Sequence, residues 1–281
     1  MNEEPDNKPQ LDYSIVQRYW DEGGSNATAM SMMAHEHNLP ARSAAYRLQC
    51  EINTLSDWMD GLSAAASVLD VGCGAGAWVE LFAQNYDCVV GVERSTLMVD
   101  AARERVAHLP NAQIIEGDVR TDLPPGTFDL IFLGGMCMYL NDADVVALVG
   151  ELKKRLAKDG LVILRESTIR KGVYIPQGNY QAAYRYVDLY RRLIDEGGLV
   201  VEEVRRNYGY NSLVTAEELV SFRRKWLPFL PKASNALGQA TWTLLRWTAP
   251  LSFWALPRVL NALHLSWPRL QNHFFKLTSP S

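Results

Sequence analysis

Short apolar runs alternate with longer segments of helical spacing along the middle of the chain. The apolar runs end at glycines or other turn residues, which is typical of buried strands, and they cover residues 68–71, 88–92, 112–116, 128–133 and 161–165. Helical spacing follows at 77–85, 97–107, 144–157 and 184–197. Because strands that alternate with helices are joined by right-handed crossovers, this pattern predicts a doubly wound, Rossmann-like α/β fold. We expect a late strand at 200–208 and a mostly parallel sheet of seven strands.

Two helical regions flank this α/β core, which we place at residues 63–218. Residues 13–62 have largely helical spacing and predict a helical N-terminal lid. Residues 1–12 are mostly polar and lack the basic-then-apolar pattern of a signal peptide, so we expect a disordered tail. Residues 219–281 are expected to form a helical C-terminal extension.

Composition is that of an ordinary globular protein. Of the 281 residues, 48% are hydrophobic and 21% are charged, and the net charge of -4 gives no overall signature of nucleic-acid binding. The four cysteines form no Cys-x-x-Cys pair, which argues against zinc and favours a reducing compartment, so we expect a cytoplasmic protein. His35 and His37 would point to different faces of a helix, and we expect no metal site.

A glycine-rich turn follows the first predicted strand. Gly72, Gly74 and Gly76 stand between that strand and the next helix, where the absence of Cβ atoms lets the backbone approach a ligand. On its own the turn is ambiguous, because Gly72, Gly74 and Ala77 also satisfy the looser dinucleotide-binding pattern. The turn therefore predicts a nucleotide-like cofactor without specifying which one.

Three acidic residues near predicted strand ends narrow the choice. Asp70 precedes the glycines, where its carboxylate can accept a hydrogen bond from an ammonium group but would repel a pyrophosphate. Glu93 ends the second strand and is placed to bind ribose hydroxyls. Asp118 follows the third strand, where it can accept from an adenine amino group. Together they favour a cofactor that carries an amino acid and a nucleoside.

Four segments resemble, in order and spacing, the motifs of class I S-adenosylmethionine-dependent methyltransferases; they are residues 68–78, 91–95, 116–119 and 128–133. The resemblance covers roughly residues 67–167. It implies that S-adenosyl-L-methionine is the cofactor and that methyl transfer is the activity. The cofactor-binding residues that it implies are Asp70, Gly72, Cys73, Gly74, Gly76, Glu93, Arg94, Met98, Asp118, Val119, Leu133 and Gly134, to which the N-terminal segment described next adds Tyr19.

Three further segments resemble phosphoethanolamine (phosphobase) N-methyltransferases. They are Tyr19-Trp20-Asp21-Glu22-Gly23, Met138 to Asp142, and Leu164 to Ser167 with Tyr184-Arg185 downstream. This resemblance implies that Tyr19 latches the active site and that Tyr139 lies near the reacting amine. It also implies a substrate site that includes Arg165, Tyr184 and Arg185, whose guanidinium groups suit an anionic group such as phosphate.

Each of these side chains also has a structural interpretation. Tyr19 and Trp20 would equally serve as packing anchors of a helix, and Tyr139 would line a pocket without taking part in chemistry. Arg165 would equally pair with a neighbouring acid. Cys73 and Cys137 flank the expected cofactor pocket, but buried cysteines are usually inert small apolar residues.

Three functions therefore follow from the sequence. The first is methyl transfer to nitrogen of a small or lipid-linked amine that resembles phosphoethanolamine. The second is methyl transfer to oxygen or sulfur of a sugar, natural product or thiol, for which the sequence offers no evident general base beyond tyrosines and acids. The third is a non-catalytic, cofactor-binding module at a membrane surface, because a fold alone does not prove activity.

The C-terminal extension, residues 219–281, differs in charge from the rest of the chain. It contains eight Lys and Arg residues, no Asp or Glu, and five of the eight tryptophans. Residues 247–257 are uncharged but too few to span a membrane, which takes about 20 apolar residues. Tryptophans and basic residues in a segment without acids suit the surface of an anionic membrane, and we place the contact at the inner face of the cell membrane. Helices that cover the active site or form a dimer contact are the alternative, and the sequence does not settle the oligomeric state.

Overall fold

The computed structural model describes residues 9–22, 37–264 and 268–280. Nine strands of this part of the chain form one sheet: β1 Ser67–Val71, β2 Cys88–Glu93, β3 Ala112–Glu116, β4 Phe128–Leu133, β5 Leu156–Thr168, β6 Val173–Tyr174, β7 Tyr184–Arg185, β8 Val200–Arg206 and β9 Gln271–Thr278. The α-helices are α1 Tyr13–Glu22, α2 Ala41–Met59, α3 Ala77–Ala83, α4 Thr96–Val106, α5 Asp142–Arg155, α6 Val187–Glu196, α7 Tyr208–Trp226, α8 Asn235–Trp247 and α9 Leu256–Ala262.

The predicted α/β fold is confirmed. Strands β3, β2, β1, β4 and β5 lie side by side in that order and all run parallel. Strand β9 lies antiparallel between β5 and β8, which completes a row of seven strands. The short strands β6 and β7 extend the sheet beside the end of β5. Because β1 has β2 on one side and β4 on the other, the chain order reverses at β1, where ligands of open α/β sheets bind.

Strand β9 corrects the expectation of a wholly helical extension. Residues 271–278 pair along their length with β5 on one side and β8 on the other. Phe274, Phe275 and Leu277 are fully buried, since a strand in the interior of a sheet is covered on both faces. So short an apolar run carries no periodicity that separates strand from helix, which is why the sequence pattern missed it.

Two local boundaries also differ from the sequence pattern. Residues 158–160, between the predicted helix at 144–157 and the predicted strand at 161–165, form an irregularity within β5, because the pairing of β4 shifts from Leu156 to Leu161 there and Asp159 has a φ of 63°. The helix expected from residue 184 begins at Val187, because Tyr184 and Arg185 pair with β6 as strand β7. The first difference extends β5 at its amino end, and the second extends the sheet beside the carboxyl end of β5.

Alternate side chains of the central strands enter two hydrophobic clusters, as the two-residue period of a strand requires. Leu69 and Val71 pack with Ile131 and with Leu148 of α5. Val68 instead packs in a second cluster with Trp78 and Phe82 of α3, and with residues of α2 and α4. The sheet is thus covered by helices on both faces, which leaves the strand ends as its accessible edge.

Helices of the C-terminal extension form a separate cluster. Helix α7 packs against α8 and a π-helical turn, Pro250–Ala255, through Leu213, Val220, Trp242, Leu245 and Phe253. The same region leaves many large apolar side chains exposed: Phe222, Trp226, Leu227, Phe229, Leu244, Trp247, Leu251, Trp254, Leu256, Val259 and Leu263. Among the described residues, no helix is long and apolar enough to cross a membrane.

Candidate active site

A cavity of about 630 Å³ opens at the carboxyl ends of β1, β2 and β4. It receives side chains from the glycine turn, from α1 and α2, and from the segments after β4 and β5. The predicted site residues that line it are Tyr19, Asp70, Gly72, Cys73, Gly74, Glu93, Arg94, Met98, Asp118, Val119, Gly134, Tyr139, Arg165 and Tyr184. Gly76, Leu133 and Arg185 do not line it.

The glycine turn forms the floor of the cavity. Gly72, Gly74 and Gly76 all have positive φ values, between 53° and 77°, which only glycine adopts without strain. The amides of Gly72 and Cys73 both donate to the carbonyl of Val92, at 2.8 and 3.0 Å. These bonds hold the turn against the end of β2, so that the backbone of residues 72–75 faces the cavity.

Gly76 has a packing role. A Cβ atom on Gly76 would lie 3.0 Å from the Cβ of Ala102 in α4, which is closer than normal packing allows. This glycine therefore lets α3 and α4 approach each other and does not contact the ligand space. Leu133 is fully buried in the cluster that includes α5, so its side chain points away from the cavity. Cofactor contact by these two residues is not supported.

Asp70 is the most buried carboxyl group of the cavity, with 2% of its surface exposed. Burial raises its pKa to about 8; the nearby Arg165 opposes this shift and Glu93 adds to it. A carboxyl group that is costly to ionise alone becomes stable as a carboxylate once a cation binds beside it. The position therefore suits the ammonium group of an amino-acid moiety.

Glu93 and Asp118 are held in place by hydrogen bonds on either side of this floor. Glu93 accepts from the amide of Gly74 at 3.0 Å and from the amides of Arg94 and Ser95 at 2.9 Å. Asp118 pairs with Arg120 at 2.6 Å, and this hydrogen bond lowers the pKa of Asp118. Both groups thus present carboxylate oxygens in fixed positions, as acceptors for hydroxyl and amino groups require.

Arg165 lines the cavity and pairs with an acid that the sequence analysis did not identify. Its Nη1 lies 3.1 Å from Oε2 of Glu51, which is fully buried, and its Nη2 donates to the carbonyl of Gly134 at 2.5 Å. Glu51 also lies 3.7 Å from Nε of Arg47 and accepts from Asn207 at 2.8 Å. Two guanidinium groups of the cavity wall therefore share one carboxylate.

Arg185 is buried behind the cavity wall. Its guanidinium donates to Asp142 at 2.8 Å, to the carbonyl of Cys137 at 2.9 Å and to the carbonyl of Leu140 at 2.6 Å. These bonds brace the turn at 137–140 that carries Tyr139. The expected role in substrate binding is thus not supported for Arg185. Its partners come from another part of the chain, which is why the sequence could not reveal them.

Tyrosines form the end of the cavity opposite the glycine turn. The hydroxyl of Tyr180 lies 3.3 Å from that of Tyr139 and 3.1 Å from that of Tyr184, so the three phenols form a hydrogen-bonded chain. The ring of Tyr19 meets the Tyr180 ring edge-on at 4.8 Å, and the hydroxyl of Tyr210 lies 3.3 Å from Ser167. Burial raises the pKa of all three phenols in the chain, so they remain neutral donors rather than bases.

Helix α1 lies over the cavity and contacts both of its sides. At its N-terminal end the amide of Leu11 donates to Asn141 at 2.8 Å, and Tyr13 hydrogen-bonds to Asp144. At its other end the Ser95 hydroxyl donates to the carbonyl of Trp20 at 3.3 Å, and the Trp20 ring meets the Tyr139 ring edge-on. Residues 23–36 of the predicted lid, which include Gly23 of its motif, lie outside the described residues.

Glu166 is a buried carboxyl group that supports the Tyr139 turn from below. It accepts from the amide of Cys137 at 2.9 Å and from the amide of Met138 at 3.2 Å, and Tyr190 donates to it at 3.3 Å. Burial raises the pKa of Glu166 to about 7. The sequence singled out the Arg165-Glu166-Ser167 stretch by resemblance, but not the role of Glu166 in positioning the turn.

Several residues of the site had no sequence signal. Tyr180 and Tyr210 line the cavity but stand in segments without a motif. Glu51, which is buried behind the wall, shows only the four-residue helical spacing from Arg47 that an ion pair uses. Burial raises the pKa of the Cys73 and Cys137 thiols well above the ordinary value, as expected of inert cysteines.

No metal-binding cluster of His, Cys, Asp or Glu occurs within the ranges that the structure covers. Of the histidine pair, His37 lies 3.7 Å from Glu217, whereas His35 falls outside those ranges.

Comparison with known proteins agrees with this geometry. Residues 68–160 match the family described as the methyltransferase domain. The chain therefore carries an S-adenosylmethionine-dependent methyltransferase domain, and this finding confirms the enzyme class and the cofactor that the motifs predict.

Similarity to individual proteins is moderate. The chain is 27% identical over 185 residues to phosphoethanolamine N-methyltransferase from Triticum aestivum, which covers 64% of this chain and 35% of that protein. It is 32% identical over 106 residues to trans-aconitate 2-methyltransferase from Azoarcus, which covers 37% of this chain and 40% of that one.

Among solved structures, a methyltransferase from Leishmania major has a TM-score of 0.58 at 22% identity and covers 69% of this chain and 76% of that one. The chain spans less than half the length of the two curated relatives, the phosphoethanolamine N-methyltransferase and the trans-aconitate 2-methyltransferase.

Proposed function

We propose that the protein transfers the methyl group of S-adenosyl-L-methionine to the nitrogen of a small or lipid-linked amine that resembles phosphoethanolamine. The observation that carries the proposal is the tyrosine-lined end of the cavity. Aromatic faces attract cations, and neutral phenols donate hydrogen bonds to anionic oxygens. One wall of phenols can therefore receive both the cationic and the anionic part of such a substrate. Similarity to the wheat phosphoethanolamine N-methyltransferase supports the same class.

The residues of the cavity floor fit the cofactor. The positive-φ turn at Gly72 and Gly74 leaves room for a ligand beside the backbone, and the buried Asp70 carboxyl lacks only a cation to stabilise its charge. Asp70 would hold the ammonium group, Glu93 the ribose hydroxyls and Asp118 the adenine amino group. The cofactor supplies a methyl group activated by a sulfonium ion.

The protein contributes to methyl transfer more by positioning the substrate than by acid–base chemistry. The hydrogen-bonded phenols of Tyr139, Tyr180 and Tyr184 would orient the amine so that its lone pair faces the cofactor end, and helix α1 would exclude water. The amine would lose its proton to bulk water before it enters the cavity, because burial raises the pKa values of these phenols and keeps them from acting as bases.

Methyl transfer to oxygen or sulfur is the second candidate. Similarity to trans-aconitate 2-methyltransferase favours it. The third candidate, a non-catalytic module that binds the cofactor at a membrane, differs from both in that it predicts binding without turnover.

A methyl-acceptor screen separates these candidates. Purified protein with labelled cofactor is offered phosphoethanolamine, phosphatidylethanolamine in vesicles, free amines, thiols, a sugar and trans-aconitate, and product formation is measured. We expect turnover with phosphoethanolamine or its lipid. Turnover restricted to the carboxylate, thiol or sugar would refute nitrogen transfer, and cofactor binding without turnover on any acceptor or on cell extract would favour the module.

We also propose a cytoplasmic protein that makes peripheral contact with the inner membrane face through residues 219–281. All four cysteines are free thiols, which supports a reducing compartment. The exposed apolar side chains and the basic charge of this region support the membrane contact. Fractionation of cells into soluble and membrane pools tests both parts.

A further inference from the structure

Helix α8, the π-helical turn and α9 present apolar residues on both sides. One side is buried through Trp242, Leu245 and Phe253, which pack against α7. The other side is exposed and carries six large apolar side chains, which we call the docking stripe: Leu244, Trp247, Leu251, Trp254, Val259 and Leu263. The first four follow each other at spacings of three, four and three residues, so they share one helical face.

Such a surface is unusual for a helix that packs on a globular core. The face opposite the buried side is normally polar, whereas here Trp247 is 88% exposed and Leu244, Leu251 and Trp254 are 62%, 61% and 58% exposed. Contiguous exposed apolar residues mark a surface that binds something.

The charges beside the stripe are all positive. Arg246 lies over the ring of Tyr46 at 4.1 Å, and Arg258 lies over the ring of Trp254 at 4.2 Å. No acidic residue occurs between 219 and 281, and neither arginine makes an ion pair with any residue that the structure describes. Tryptophan rings flanked by unneutralised arginines match the headgroup region of an anionic bilayer, whereas a second copy of this chain would present the same positive charge.

A shallow depression next to the stripe adds a site for a headgroup phosphate. It has a volume of about 460 Å³ and is lined by Arg42, Tyr46, Trp242, Thr243 and Arg246. Arg42 donates to the hydroxyl of Thr243 at 3.0 Å, which brings the α2 guanidinium onto α8. Two guanidinium groups and a hydroxyl around one depression are the donors that bind phosphate.

We propose that the docking stripe inserts into the headgroup region of an anionic bilayer, with a lipid phosphate held between Arg42 and Arg246. The stripe belongs to a helical layer packed on α7, which contributes Tyr210 and Glu217 to the cavity. Docking would hold the active site one helix away from the bilayer. It specifies the membrane contact proposed above and is independent of which acceptor is methylated.

Co-sedimentation with vesicles tests the stripe. The full chain is mixed at low salt with vesicles of phosphatidylglycerol and phosphatidylcholine, or of phosphatidylcholine alone. We expect binding only to the anionic vesicles, weakening with added salt because exposed charges are screened. The double substitution Trp247→Ser with Trp254→Ser should reduce affinity by more than about tenfold, since interfacial binding scales with buried apolar area. Trp226→Ser is the matched control, because Trp226 is 61% exposed but lies outside the stripe.

The phosphate site has its own pair of variants. Arg42→Gln and Arg246→Gln should each weaken vesicle binding by about fivefold. Arg191→Gln, an exposed arginine on α6, should leave it unchanged. Affinity for S-adenosylhomocysteine and helical circular dichroism serve as checks that each variant is folded.

Unchanged binding of the tryptophan double variant would overturn the proposal, and so would equal losses in Trp226→Ser. A monomer-to-dimer transition without vesicles that the double variant abolishes would assign the stripe to a protein contact instead. Neither outcome bears on methyl transfer, which the acceptor screen measures separately.

Discussion

The two ends of the cavity recognise their ligands by different means. The cofactor end presents carboxyl groups, Asp70, Glu93 and Asp118, which the carboxyl ends of three neighbouring strands bring together. The acceptor end presents phenols from four separate segments, and three of them, Tyr139, Tyr180 and Tyr184, are joined by hydrogen bonds between their hydroxyl groups. One end therefore depends on charge and backbone shape, and the other on packing and on the alignment of hydroxyl groups.

The substitution Asp70→Asn is expected to have the largest effect, because it removes charge from the cofactor end. Loss of one partner from a buried charge pair costs enough to reduce cofactor affinity by about 100-fold or more. Isothermal titration with S-adenosylhomocysteine measures the loss. Asp100→Asn, on the exposed side of α4, is the control and should bind normally. Micromolar affinity retained in Asp70→Asn would refute the assignment of this end.

The next largest effect is expected from Glu51, the buried acid behind the acceptor end, and it is an effect on folding stability. Glu51→Gln leaves Arg47 and Arg165 without their shared carboxylate, and breaking a buried ion pair costs about 3–5 kcal/mol. The thermal midpoint should fall by about 10 °C for a chain of this size. Glu104→Gln, an exposed acid on α4, should leave the midpoint unchanged. An unchanged midpoint in Glu51→Gln would show that solvent already neutralises the two arginines.

The phenol chain predicts a smaller effect that is confined to the acceptor end. Tyr180→Phe removes two hydrogen bonds between hydroxyl groups and should lower kcat/KM by about tenfold. Cofactor affinity should stay the same, which distinguishes the two ends. Tyr86→Phe, outside the cavity, is the control. Equal losses of turnover and of cofactor affinity in Tyr180→Phe would mean that the ends are not separable.

The same contrast explains what the sequence could predict. Residues of the cofactor end were predicted because each stands in a local strand-to-turn motif, where neighbours in sequence are neighbours in space. Leu133 shows the limit of this reasoning. It ends β4 next to Gly134, which lines the cavity, but its side chain is buried in the hydrophobic cluster that includes residues of α5.

The acceptor end depends on contacts over long sequence distances. Arg185 meets Asp142 and two carbonyl groups that no pattern connects to it, and Tyr180 joins Tyr139 across 41 residues. Strand β9 was missed for the same reason, because its place in the sheet is decided by its partners β5 and β8. Packing, which leaves no periodic trace in so short a segment, decides these features.

The smallest expected effect concerns pH and again separates the two ends. The pKa of Asp70 is raised to about 8 from an ordinary value near 3.8, so the folded protein without cofactor holds a proton that the unfolded chain releases. The contribution of the protonated Asp70 carboxyl group to the free energy of unfolding has its full value below pH 4, and it is lost as the pH rises towards 8.

Thermal midpoints of the wild type and Asp70→Asn, measured without cofactor between pH 5 and pH 8, isolate this effect. Other buried groups, such as Glu166, titrate in both proteins, so the difference between the two midpoints reports Asp70 alone. We expect the variant to gain several degrees over the wild type as pH rises, although it binds cofactor less well. A difference that does not change with pH would show that Asp70 is already ionised and paired within the protein. The Asp70 carboxylate would then not need the cation of a bound cofactor to stabilise it.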